Sequence, residues 1–306
     1  MTIIQPGMLT SVQDTGRYGH RCDGVPTGGA VDAVSMQLAN LAVGNPAAVA
    51  GLECTLVGPR VRFSQDALIA VAGATVQGIE PLRPILVRAG KPVSLEKLSR
   101  GCRSYLAVAG GIDVPTVLGS RSTALRSGFG GFQGRPLRRG DVLPIGTPPP
   151  NPPRNCRIDA RCFGAGLPSI RITSAHEHVE LATQFCEATY TISHQSDRMG
   201  LRLTGGRDLP QPEAIQLSRA VAPGTIQRPP GGEPIVLLAD AQTVGGYAVI
   251  GHVIAADLHH LAQLRPRDTI RFSLITLDEA AVAAKNQRSL LRTIALGMSA
   301  AQRRRI

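Results

Sequence analysis

Short apolar runs separated by glycine, proline and aspartate dominate this chain. Residues 68–72, 104–108, 235–239 and 248–254 are each strand-length and bounded by turn formers, which predicts β-strands over most of the sequence. Helical spacing is confined to a few places. Val34, Leu38, Leu41 and Ala42 share one face over 34–43, and 179–185 is a shorter candidate. From Leu277 the pattern changes to an alanine-rich stretch with no Gly or Pro before Gly297. Asp278 and Glu279 sit near its start and arginines near its end, the charge order a helix dipole favours, so a C-terminal helix is expected.

Residues 148–153 hold five prolines in six positions, an extended linker by composition. The expected division is 1–147, a linker over 148–155, a second domain over 156–275, and a C-terminal helix with a basic tail over 276–306. An ordered echo relates the two halves. Gln13-Asp-Thr-Gly-Arg17 returns as Gln195-Ser-Asp-Arg198, 68–73 resembles 236–240, and 88–93 resembles 265–270. Three pairs in the same order argue for a duplicated β-rich unit.

Composition narrows the class. The 306 residues are 43% hydrophobic and 18% charged, ordinary for a folded globular protein, so disorder and coiled coil are excluded. The longest apolar runs, such as 67–74, are far below the roughly 18 residues of a membrane span. The amino terminus lacks a basic segment followed by an apolar one, so a cytoplasmic protein is expected. Cys22, Cys54, Cys102, Cys156, Cys162 and Cys186 stand singly with no CxxC, which disfavours zinc ribbons and redox dithiols. His176-Glu177-His178 and His259-His260 lack the HExxH spacing, and no metal site is expected.

Thirty-three basic and 22 acidic residues leave a net charge of +11. Only Lys91, Lys97 and Lys285 are lysines, so arginine supplies 33 − 3 = 30 of the positive charges. They are scattered, apart from Arg303-Arg304-Arg305, and Trp is absent, so neither a nucleic-acid stripe nor a stacking platform is present. Arginine does suit carboxylates and phosphates.

Three loops carry candidate chemistry. The first, with Gln13, Asp14 and Arg17, has the glycine-flanked form of an anion-binding nest, and Gln195, Ser196, Asp197 and Arg198 repeat the kit. The second sets Ser120, Ser122 and Thr123 beside Arg121, ahead of the glycine-rich 128–134. It matches neither GxxxxGK[ST] nor GxGxxG. The third runs from Asp240 through Gln242, Thr243, Gly245 and Gly246 to Tyr247, where a strand ends in a polar double-glycine turn. No Ser-His-Asp triad or GxSxG elbow is present. Arg17 and Arg198, equivalent in the echo, are expected to serve one composite anion site.

These blocks resemble a known family. Pro6-Gly-x-Leu-Thr-Ser-Val-Gln-Asp-x-Gly-Arg17, Gly24-Val-Pro-x-Gly-Gly-Ala-Val-Asp32, Leu38-Ala-Asn-x-x-Val-Gly-Asn45, Tyr105-Leu-Ala-Val-Ala-Gly-Gly-Ile-Asp113, Leu118-Gly-Ser-Arg-Ser-Thr123 and Ser196-Asp-Arg-Met-Gly-x-Arg-Leu203 are similar to the allophanate hydrolase subunit 2 family. That family is also described as KipA-like or biotin-dependent carboxyltransferase-like, and includes one of the subunits of 5-oxoprolinase. The resemblance spans about residues 3–275 and implies a mainly β chain of two cyclophilin-like β-barrel domains. It implies a KipI-like (allophanate hydrolase subunit 1) partner and, in 5-oxoprolinase, a LamB/YcsF-type subunit.

The activity implied is ATP-dependent opening of 5-oxoproline to glutamate, with ATP and Mg2+ acting at the level of the complex and this chain inactive alone. By analogy Asp14, Arg17, Asp197, Arg198 and Asp240 take catalytic roles. Gln13, Ser120, Arg121, Ser122, Thr123, Gln195, Ser196, Gln242, Thr243, Gly245, Gly246 and Tyr247 bind substrate or anion. One alternative is a carboxyltransferase for a urea-like acceptor, with biotin carried on another chain because no Met-Lys-Met is present here. The other is a non-catalytic regulator of the KipI-like partner. Ala241 and Ala248 depart from the Arg and Pro common in relatives, Arg219 departs from Glu, and 157–188 matches poorly.

Overall fold

A computed structural model describes residues 1–153, 156–159, 169–175, 179–206, 209–210, 217–230 and 232–303. Cys162, the 176–178 cluster and the end of the basic tail lie outside the described residues.

Two compact units are present. The first comprises Met1–Tyr18, Gly28–Phe163 and Ser289–Ile306, and the second Gly19–Thr27 and Gly164–Arg288. Unit 1 carries strands β1 (Thr2–Gln5), β2 (Leu9–Gln13), β3 (Gly51–Thr55), β4 (Arg60–Arg62), β5 (Ala67–Val76), β6 (Ile85–Val87), β7 (Pro92–Ser94) and β8 (Leu98–Val108), with helix α1 (Ala33–Ala42). The strands form a five-stranded sheet, β2-β3-β8-β5-β6, and a three-stranded sheet, β1-β4-β7. The apolar runs expected at 68–72 and 104–108 lie within β5 and β8, whose buried side chains alternate between two cores. Ile69, Val71, Leu106 and Val108 belong to one cluster with Ile3, Leu52 and Val61. Leu68, Ala70, Ala72 and Ala107 belong to the other, with Leu38, Leu41 and Ala42 of α1. Asp32 caps α1 by accepting from the Ser35 backbone N–H at 2.8 Å, a bond Asp at that position is suited to make.

Unit 2 carries β9 (Ile170–Ser174), α2 (Val179–Cys186), β10 (Thr189–Ile192), β11 (Gly200–Thr204), β12 (Arg219–Ala220), β13 (Thr225–Arg228), β14 (Ile235–Leu237), β15 (Val244–Gly245), β16 (Ala248–Val253), α3 (Leu258–Leu261) and β17 (Thr269–Leu274). Seven of these strands close a barrel in the order β10-β11-β14-β13-β16-β9-β17, while β12 and β15 pair separately. Phe185, Tyr190 and Phe272 pack together in this unit, with ring centroids 4.7 Å apart for the two pairs that involve Phe185. The mainly β class follows the sequence reading; of the two barrels expected, the second unit forms a closed one, while the strands of the first unit form a five-stranded and a three-stranded sheet.

The C-terminal helix α4 (Leu277–Arg303) is longer than its alanine-rich stretch, and Gly297 does not end it. A reciprocal cap starts it: Glu279 Oε2 accepts from the Thr276 N–H at 2.8 Å, and Thr276 Oγ1 accepts from the Glu279 N–H at 3.2 Å. Packing carries it past the glycine, because Leu291, Ile294, Ala295 and buried Met298 join the α1 cluster. Gln302 Nε2 also donates to the Gly44 carbonyl at 3.3 Å. Deleting 289–306 is therefore expected to lower stability by about 3–5 kcal/mol from lost apolar burial, whereas deleting 303–306 should leave the melting temperature unchanged. Thermal denaturation of the two truncations checks both, and equal melting temperatures would refute the packing role.

Candidate functional site

In unit 1 the first two candidate loops form one knot tied by Asp14. Its Oδ1 accepts from the Gly16 N–H at 2.8 Å, the Ser120 hydroxyl at 2.7 Å and the Ser122 hydroxyl at 2.5 Å. Its Oδ2 accepts from the Arg121 N–H at 2.6 Å. Three of these donors stand more than 100 residues from their acceptor along the chain, yet each is a close partner in space. Four donors on one buried carboxylate make a strong anchor, since hydrogen bonds to a charged group are the stronger kind.

Arg17 lies inside the same knot. It is 1% exposed; Nη2 donates to the Ser122 carbonyl at 2.7 Å and Nε to the Val117 carbonyl at 3.4 Å. Its guanidinium also lies 4.8 Å from the centre of the Phe129 ring, a cation–π distance. Close approach explains Gly130 in the glycine-rich 128–134. A Cβ there would strike the Ser122 carbonyl and come within 2.8 Å of Arg17 Nη2, and φ is +68°. Gln13 is fully buried, donating to Ser11 Oγ at 3.0 Å and the Thr123 carbonyl at 3.2 Å. Thr123 returns a hydroxyl bond of 2.9 Å to the Val12 carbonyl.

Arg121 differs from Arg17. Its side chain keeps 35% exposure and its Nη2 pairs at 2.6 Å with Asp113, which is 54% exposed. Of the two guanidiniums in this knot, only Arg121 remains open to an incoming anion.

In unit 2 the echoed loop is the turn between β10 and β11. Asp197 Oδ1 accepts from the Met199 N–H at 2.7 Å and the Gly200 N–H at 3.2 Å, the form of an Asx turn. Ser196 Oγ accepts from the Arg202 N–H at 3.0 Å, and the Gln195 N–H donates to Ser193 Oγ at 3.2 Å. Arg198 makes a two-pronged ion pair with Asp240, both contacts 2.8 Å and both residues under 10% exposed. The two echoed arginines thus have unlike partners: backbone carbonyls and a ring for Arg17, a carboxylate for Arg198.

The third loop continues from Asp240. Gln242 Nε2 donates to Gln227 Oε1 at 3.3 Å, and the Thr243 carbonyl accepts from the Val221 N–H at 3.0 Å. Val244 and Gly245 form β15, Gly246 follows, and Tyr247 is 44% exposed. Ala241 is buried in an apolar cluster with Val221 and Leu237, so an arginine at this position would have to bury its charge against aliphatic carbon. Arg219 lies opposite Gly245 in the β12–β15 register.

Two features escaped sequence reasoning. One is a buried polar network in unit 1: Glu53 Oε2 accepts from the Val31 N–H at 2.8 Å and the Tyr105 hydroxyl at 2.9 Å, while Tyr105 accepts from the Asp32 N–H at 2.8 Å. Burial first, then the neighbouring Glu53 charge, pushes the Tyr105 phenol well above its ordinary range, so it serves as a fixed donor. It shapes the 28–32 loop. The other is Gln227, 1% exposed on β13. For Glu53 the available signal was a charged residue inside the largely apolar strand Gly51–Thr55, whereas Gln227 stands in the mostly polar strand Thr225–Arg228 and carried no such signal.

Among the described residues no group of three His, Cys, Asp or Glu side chains could hold a metal ion, and no helix is long and apolar enough to cross a membrane. No disulfide joins the described cysteines, and burial raises the Cys54 thiol to about 12, which makes it unreactive.

Residues 23–274 match the family described as carboxyltransferase domain, subdomain A and B. The chain is 39% identical to a 5-oxoprolinase subunit of Escherichia coli (strain K12), over 96% of this chain and 97% of that protein. It is 37% identical to the same 5-oxoprolinase subunit of Haemophilus influenzae, over 91% and 92%. Among solved structures, Kluyveromyces lactis urea carboxylase superposes with a TM-score of 0.86 at 32% identity, covering 95% of this chain and 29% of that one.

Proposed function

The chain belongs to the carboxyltransferase-domain family, subdomains A and B, and on that premise we propose that it is the corresponding subunit of an ATP-dependent 5-oxoprolinase. The carrying observation is its identity of 39% to a 5-oxoprolinase subunit over 97% of that protein's length. The reaction opens a five-membered lactam: ATP phosphorylates the lactam oxygen, water adds to the activated carbon, and the C–N bond breaks to give glutamate, ADP and phosphate. The bound substrate needs a cation for its carboxylate and fixed donors for its carbonyl.

The residues of this chain divide accordingly. Arg121 is the carboxylate ligand: its guanidinium is partly open and its present partner, Asp113, is itself a carboxylate on the surface. Arg121→Ala is expected to raise KM for 5-oxoproline about tenfold or more with little change in kcat, because a bond to a charged group contributes about 1.5–3 kcal/mol. An unchanged KM would remove Arg121 from the site. An ATP–Mg2+ complex does not fit the loops that hold the catalytic and anion-binding candidates. The Asp14 carboxylate is filled by four N–H and O–H donors, the Ser120 and Ser122 hydroxyls are committed to it, and Arg198 is committed to Asp240. In this reading the nucleotide is held by a partner chain, and this chain is inactive alone.

The partners proposed are the KipI-like subunit and a LamB/YcsF-type subunit. Co-expression of the three, followed by assay of 5-oxoproline-dependent ATP hydrolysis and glutamate release, tests the reading. Turnover by the complete assembly and none by this chain is the expected result, and no turnover by the assembly would overturn it. The likeness to urea carboxylase supports a second reading, carboxyl transfer from a biotinylated carrier; inhibition of the assembly by avidin would favour that one.

A further inference from the structure

Asp113 is a surface carboxylate to which the function proposed above gives no role of its own. Its Oδ1 stands 2.6 Å from Arg121 Nη2, and both side chains reach solvent, at 54% and 35% exposure. Among the described residues the Asp113 carboxylate has no further partner, and Arg121 adds only a bond from Nη1 to the Ile112 carbonyl at 3.4 Å. The side chains are open, but the backbone beneath each is pinned. The Asp113 N–H donates to the Pro144 carbonyl at 3.0 Å, and fully buried Ile112 donates to the Ala50 carbonyl at 3.0 Å. Gly111, at φ +71°, turns the chain into this position, where a Cβ would strike Val49. Opposite, the Arg121 N–H is held by Asp14 Oδ2 at 2.6 Å. All these residues belong to the first unit. An exposed ion pair adds little to stability. A cation and an anion fixed side by side on held backbone do suit recognition.

We propose that Arg121 and Asp113 together recognise the carboxylate and the nitrogen that an α-amino acid, or its lactam, carries on one carbon. With the carboxylate on Arg121, the nitrogen is the next polar group of the ligand, and Asp113 is the acceptor beside the guanidinium. Opening the lactam changes this nitrogen and leaves that carboxylate as it was. In the net hydrolysis the oxygen of a water goes to the ring carbonyl carbon. The electron pair of the broken C–N bond stays on nitrogen, and both protons of that water end there, so a neutral N–H becomes an ammonium. Asp113 accepts the N–H of the lactam, and its attraction grows as positive charge develops on the departing nitrogen. An interaction that strengthens along the reaction lowers its barrier. Lactam opening rests on the function proposed above; recognition of the amino-acid couple does not.

Asp113→Asn keeps the shape and an acceptor but removes the charge, and the residue is exposed, so the variant should fold normally. In the complete assembly it should lower kcat about tenfold, with KM for 5-oxoproline unchanged or lower. A carboxylate that merely occupies Arg121 in the empty site predicts another pattern, a lower KM with kcat unchanged, and that result would overturn the role in C–N cleavage. The second readout needs no turnover. In nitrogen-15 spectra of the full chain, L-proline should bind about fivefold more tightly than cyclopentanecarboxylate, the same ring without nitrogen, and Asp113→Asn should abolish that preference. Equal binding of the two rings, or a preference that survives in Asp113→Asn, would overturn the recognition. If the assembly shows no 5-oxoproline turnover, the titration decides alone: a preference lost in Asp113→Asn upholds the pair while the function falls, and no binding of either ring ends both.

Discussion

Asp14→Ala is expected to be the most damaging single substitution in unit 1, lowering stability by about 3–6 kcal/mol. The figure follows from stranding the Gly16 and Arg121 backbone N–H groups and the Ser120 and Ser122 hydroxyls, at about 1–3 kcal/mol for each buried group that cannot reach water. The hydroxyls can rotate to other acceptors, which keeps the total below the sum. Asp14→Asn should fall between, because its carbonyl oxygen can still accept while its NH2 meets donors. Urea denaturation gives the stabilities, and 5-oxoproline turnover by the assembly gives activity per folded molecule. A stable, inactive Asp14→Ala would instead place the carboxylate in the chemistry.

The Asp14 knot also marks the limit of what local sequence patterns can reveal. Strands and their turns were legible because they depend on local signals: the runs at 68–72, 104–108 and 248–254 fall on β5, β8 and β16. Helix α4 was legible at its start, from Asp278 and Glu279, but not at its end. Gly297 costs about 1 kcal/mol in a helix interior, and burial of Met298 together with the Gln302 contact outweighs it. The candidate loops were also found as loops. What no local pattern reveals is that Asp14 closes onto residues 120–122, or that Arg198 closes onto Asp240. Such pairings decide whether a guanidinium is available to a ligand or already matched, and they separate Arg121 from Arg17 and Arg198 although all three sit in similar glycine- and serine-rich settings. Ala241 makes the same point in reverse. As a letter it is a lost arginine; in the fold it is a filled apolar position beside Leu237.

Arg198→Ala and Asp240→Ala are each expected to cost about 3–5 kcal/mol, the scale for leaving one member of a buried ion pair without its partner. Arg198 and Asp240 are 4% and 8% exposed, so solvent cannot replace the missing charge. The pair holds more than itself: the Asp240 N–H donates to the Arg198 carbonyl at 3.0 Å, tying the β10–β11 turn to the start of the Gln242 loop. Removing both charges with a shape-matched pair, Arg198→Met with Asp240→Leu, should restore most of the stability, because desolvating two ions offsets most of their attraction. A double-mutant cycle built from Arg198→Met, Asp240→Leu and their combination should then show a coupling of at least about 2 kcal/mol, well beyond the spread for independent sites. If the pair only pins the loop, the restored double variant should also recover substrate affinity in the assembly. If Arg198 instead holds an anionic ligand, the double variant should be stable yet bind about tenfold more weakly, and chemical denaturation beside a KM measurement separates these results. Additive single effects would show that the two side chains, though 2.8 Å apart, do not act as a unit.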